Sequence, residues 1–164
     1  MGCRLGVGMT EQTDSEAARQ IMIERYKYIL DQIKSTNDNV YRFLAIYQAL
    51  ATAIAGAGML LFVNYRNWKV PPAVVRLGLE GAASILSVVA GFTILLILIG
   101  VWTWLDYRNE ECDVADRIVG VGFRSRPKVG NFFRWYETYI VVFIATTVVL
   151  VWVFVEALLV PAVR

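Results

Sequence analysis

Charged residues disappear from the chain between Glu80 and Asp106, leaving the apolar stretch GAASILSVVAGFTILLILIGVWTWL from Gly81 to Leu105. A helix crosses the roughly 30 Å hydrocarbon core of a bilayer with about 20 apolar residues. This stretch meets that requirement and carries Trp102 and Trp104 near one end, where amphipathic rings settle at headgroup level. Two further apolar runs flank it, at 44–63 and 138–160. The pattern predicts an all-α membrane protein with three transmembrane helices, about 44–63, 81–105 and 138–160, within a domain over 44–160 whose loop 106–137 is polar.

Ahead of the first span the period changes. Residues 1–12 show no helical pattern and are expected to be disordered, while Thr13-Asp14-Ser15-Glu16 fits a capping box that starts a helix. Neither Gly nor Pro occurs between Thr10 and Ala55, so a cytoplasmic helix over 13–43 is expected to run into the first span without a break. Met22, Tyr26, Ile29, Ile33, Thr36, Val40, Phe43 and Tyr47 recur at spacings of three and four, a coiled-coil-like heptad seam. Ile23, Leu30 and Leu44 widen this face beyond what a two-stranded coil needs. Two arrangements cover a face of that width: the chain's own cytoplasmic loop, or the bundled helices of several copies. The register of the seam across the membrane boundary favours the bundle. Asn37, Asp38 and Asn39 interrupt the pattern and are expected to mark a bend.

Within the first span, Ala45, Ala49, Ala53 and Ala57 fall on one line, and small residues on a line let helices approach closely in lipid. Met22, Tyr26, Ile29, Ile33, Val40, Ala45, Ala49 and Ala53 are therefore the candidate oligomer interface. Gln48 and Thr52 are polar groups at membrane depth, suited to an interhelical hydrogen bond or to lining a pore. Glu156, inside the third run, is either a functional carboxylate facing protein or one that snorkels to the outer headgroups past Pro161.

Between the spans, Asn64 to Lys69 reads as a headgroup belt closed by Pro71-Pro72, with a short surface helix over Val74 to Leu79. After the second span the acidic stretch from Asp106 to Val119 continues the helix, and Gly120 and Gly122 end it. Arg124, Arg126 and Lys128 form a basic turn, and Asn131 is placed to cap a helix leading through Arg134 into the third span. Those four cations suit anionic lipid headgroups, and the acidic helix offers them an equally ordinary partner.

Composition adds sidedness and exclusions. Hydrophobic residues make up 57% of the 164 residues, beyond the ordinary soluble range. Twelve Lys and Arg lie before the first span or in the loop 106–137, against four in the first loop and the tail. The positive-inside rule then places the N-terminus in the cytoplasm and the C-terminus outside a cell membrane. The net charge of +2 suggests no nucleic-acid partner. The chain has no His, which removes Ser-His and Cys-His nucleophiles and His-ligated metal or haem, and Cys3 and Cys112 alone make no zinc site. No catalytic, cofactor-binding or metal residues are assigned, and no cofactor is expected.

Three spans cannot hold an inverted pair of equal repeats, so any symmetry must come from assembly. The sequence leads to a small homo-oligomeric integral membrane protein acting as a channel, membrane effector or membrane scaffold, with the lipid bilayer and other copies of itself as partners. The alternative is an accessory subunit that docks its cytoplasmic helix onto a larger complex. An enzyme is not expected.

Overall fold

The computed structural model describes residues 7–127, 130 and 135–163, with side chains from 16 onward. Its described residues contain no strand. Helix α1 runs over Val7–Asn64, α2 over Pro72–Ile118 and α3 over Tyr136–Phe154; a π-helical turn at Val155–Leu159 and a last helical turn, α4, over Val160–Ala162 follow. Each of the three long helices contains a stretch long and apolar enough to cross a membrane.

Several boundaries differ from those the sequence suggests. The helix already passes through Thr13–Glu16, so the capping-box residues are internal to α1. Helical winding continues through Asn37, Asp38 and Asn39, in keeping with the unbroken helix expected from the lack of Gly and Pro. Polar side chains weaken an isolated helix by only tenths of a kcal/mol each, too little to stop one that packs on both sides of them. No separate surface helix exists at Val74–Leu79; Pro72 opens α2 itself, a position where the missing N–H is no loss. Gly120 and Gly122 do follow the end of α2, with φ of 133° and 88°, values that L side chains avoid. Asn131 and its proposed cap lie outside the described residues, and α3 starts at Tyr136 after an extended Trp135.

The chain divides into two compact units, one over Met1–Asp38 and Trp102–Val129, the other over Asn39–Val101 and Gly130–Arg164. In the second unit the buried residues Val40, Tyr47, Leu86, Ala90, Ile97 and Ile144 form one core cluster, and Tyr65, Val75, Leu79, Ala83, Val155 and Leu159 form another. The opposite side of α2 is also apolar: Ile85, Val88, Phe92, Leu95, Ile99 and Trp102 recur at helical spacing and are all exposed. Helices that are hydrophobic all round occur in the cores of large proteins and across membranes.

The turn between α1 and α2 closes by a Schellman motif. Val70 N–H donates to the Tyr65 carbonyl at 2.9 Å and Lys69 N–H to the Arg66 carbonyl at 3.2 Å. Lys69 occupies the left-handed position at φ 52°, where glycine is usual. Val70 packs on the cluster that contains Tyr65, the apolar contact that accompanies this motif. At the same end of the second unit, Pro161 lacks an N–H and its ring crowds the carbonyl four residues back. The preceding turn widens accordingly, and Val160 N–H reaches the Val155 carbonyl.

Candidate functional site

The first unit is built around a buried carboxylate. Glu111 has no exposed surface although it lies in a strongly acidic stretch, Asp106 to Asp116. Its Oε1 accepts from the Tyr26 hydroxyl at 3.2 Å and pairs with the Arg124 guanidinium at 3.0 Å; its Oε2 pairs with Arg108 one turn earlier. One carboxylate thereby ties α1, α2 and the segment after α2 together. Charge-assisted bonds of this kind are about twice as strong as neutral ones, and a buried carboxylate needs them.

Neighbouring contacts repeat the pattern. Arg126 pairs with Asp113 at 2.6 Å, Arg25 with Glu110, and Gly122 N–H donates to Asp116 Oδ1 at 3.0 Å. Cys112, fully buried, lies 3.8 Å from the Ser125 carbonyl, the reach of a weak S–H donor. Arg124 and Arg126, two of the cations assigned to lipid headgroups, therefore have acidic partners within the chain. Lys128 and Arg134 lie outside the described residues.

The seam residues are covered within the chain to different degrees. In the first unit Ile29 is buried and Met22, Tyr26, Ile33 and Thr36 are half-buried; in the second unit Val40 and Tyr47 are buried and Phe43 is half-buried. Among the described residues the Tyr47 hydroxyl has no hydrogen-bond partner. Ala45, Ala49, Ala53 and Ala57 are all exposed.

Among the intramembrane polar residues, the Thr52 hydroxyl donates to the Gln48 carbonyl of its own helix at 2.8 Å, and Gln48 and Thr52 both sit on the exposed side with the alanines. Sequence reading missed an interhelical polar link: Trp152 Nε1 donates to Ser87 Oγ at 2.9 Å, and that hydroxyl in turn donates to the Ala83 carbonyl at 2.8 Å. Serine in a strongly apolar run was the available signal, since such groups glue packed spans together.

Glu156 is exposed on the π-helical turn. On α2, Arg76 Nε donates to Glu80 Oε1 at 2.8 Å. No three His, Cys, Asp or Glu residues come together as a metal site among the described residues.

No protein-family model, curated protein or solved structure matches the chain.

Proposed function

We propose that the chain is an integral membrane protein that assembles with copies of itself along the first span, as a membrane scaffold or effector built on a polar first unit. The observation that carries this reading is the exposed strip of Ala45, Ala49 and Ala53 with Gln48 and Thr52 beside it. Small residues permit close helix approach, and an amide at membrane depth is stabilised by a partner. The all-round apolar surface of α2 supports insertion. Charge asymmetry puts the N-terminus and the loop after α2 in the cytoplasm.

The test is the mass of the detergent-solubilised protein expressed alone, with cross-linking of Ala49→Cys after both native cysteines are changed to Ser. A discrete oligomer that cross-links and is disrupted by Ala49→Leu supports the reading. A monomer that fails to cross-link at position 45, 49 or 53 refutes it. Ion flux in vesicles, wild type against Gln48→Leu, separates a channel from a scaffold. Labelling a Cys placed at Asn67 from outside checks the orientation.

A second reading is favoured by Ile21 and Tyr28, apolar residues of α1 ahead of the first span that are 66% and 58% exposed. Under that reading the chain is an accessory subunit whose α1 docks onto a larger complex. It then runs alone as a monomer, and the size of its native complex falls when Ile21 and Tyr28 are changed to Ser.

A further inference from the structure

Contacts between helices fix two levels on the second unit. At one end the rings of Tyr41 on α1 and Tyr136 on α3 stack, with centroids 5.9 Å apart and planes 6° from parallel. A Cβ built on Gly100 of α2 would lie 3.8 Å from Val40 Cγ2, so Gly100 sits beside the same turn of α1. Both tyrosines stay partly open, at 53% and 38% exposure, and Arg42 next to them is exposed. At the other end Tyr65 of α1, Val75 and Leu79 of α2, and Val155 and Leu159 pack in one cluster. Just beyond it lie Arg66, whose Nε donates to the Tyr65 hydroxyl at 3.1 Å, and the exposed Trp68.

The helices measure the distance between these levels three times over. Tyr41 and Tyr65 are 24 residues apart, Gly100 and Val75 are 25, and Tyr136 and Leu159 are 23. At a rise of about 1.5 Å per residue the three separations are about 36, 38 and 35 Å. No Asp, Glu, Lys or Arg falls between Arg42 and Arg66, between Glu80 and Gly100, or between Glu137 and Glu156. Large apolar side chains face outward in the interval: Ile46 and Leu60 of α1, Val88 and Phe92 of α2, Phe143 and Leu150 of α3 are each more than half exposed. A second copy packed on one strip of α1 leaves the side chains of the other two helices uncovered, whereas lipid reaches all three. The interval exceeds a hydrocarbon core of about 30 Å by a few Å at each end, which puts the tyrosines, Arg66 and Trp68 among headgroups.

We propose that a bilayer seats on the second unit between these two levels, with the headgroups of one leaflet on Tyr41, Arg42 and Tyr136 and those of the other on Arg66, Trp68 and Glu156. The proposal rests on the membrane reading above. It decides between the two roles open to Glu156. That residue lies three positions inside Leu159, about 4–5 Å along the helix, so its exposed carboxylate reaches the headgroup layer and needs no partner within the protein.

The experiment places single spin labels on the full chain, with both native cysteines changed to Ser, in vesicles of phosphatidylcholine and phosphatidylglycerol. The labelled variants are Arg42→Cys, Val88→Cys, Leu150→Cys and Glu156→Cys, all at exposed positions. Collision with oxygen and with a water-soluble nickel chelate gives the depth of each label. Val88→Cys should lie about 18 Å and Leu150→Cys about 14 Å below the nearer level, with Arg42→Cys and Glu156→Cys within about 5 Å of theirs. Val88 and Leu150 labels that meet the nickel chelate as freely as the Arg42 label overturn the membrane reading and this inference with it. If those two are shielded in lipid while the Arg42 or Glu156 label lies two helical turns, about 10 Å, or more below the phosphates, the inference alone is overturned.

Discussion

Replacing Glu111 by Gln keeps the shape of the side chain and an acceptor for the Tyr26 hydroxyl, and removes only the charge. The guanidinium groups of Arg108 and Arg124 then lose their shared counter-ion. Breaking a buried ion pair from one side costs about 3–5 kcal/mol when the orphaned charge stays dry. Here the Arg108 and Arg124 side chains are 27% and 36% exposed and recover part of their hydration, whereas the carboxylate is fully buried. The loss should therefore be about 2–3 kcal/mol, confined to the first unit. Amide hydrogen exchange reads it directly: amides over 22–36 and 106–118 that exchange through opening of that unit should speed up about 30- to 150-fold. Those of α3 should stay unchanged. Adding Tyr26→Phe completes a double-mutant cycle, with a coupling of about 1 kcal/mol between hydroxyl and carboxylate. Exchange within threefold of wild type in Glu111→Gln would refute the view that this carboxylate holds the unit together.

Three smaller perturbations have definite signs. Tyr47→Phe removes a buried hydroxyl that has no partner and should raise stability by about 1 kcal/mol, seen as a higher unfolding temperature in detergent. Lys69→Gly relieves a left-handed lysine and should stabilise by roughly 0.5–1 kcal/mol, after the entropy glycine loses on folding is subtracted. Ser87→Ala leaves the Trp152 N–H unpaired and should cost about 0.6–1.7 kcal/mol, with a shift in Trp152 emission as an independent sign that the bond is lost.

What could be read in advance was what depends on local pattern. The apolar runs and the glycines beyond α2 follow from hydropathy and backbone freedom, and the seam marked a covered face, although Ile29 and Val40, assigned there to contacts between copies, are buried within the chain itself. The start of α1 was misread because a capping box is a local option that a helix passes through whenever continuation is favourable. The start of α2 was misread because Pro72 was taken as a boundary when it is also a good first helical residue. The acidic helix was read as a candidate partner of the basic turn, but Glu111 could not be singled out within it, because its burial depends on Tyr26, 85 residues away, and on Arg124 beyond the helix end.

A π turn holds one residue more than the α turn it replaces. The surplus at Val155–Leu159 therefore acts as slack in the angular count of the third helix, taken up just before Pro161. Deleting Ala157 would return the turn to ordinary winding and leave the residues on either side on nearly the faces they now occupy, because the wider turn already absorbs one residue. A one-residue change of length is thus taken up at this point, whereas the same deletion within α3 would turn everything beyond it by about 100° and change which side chains face the bundle.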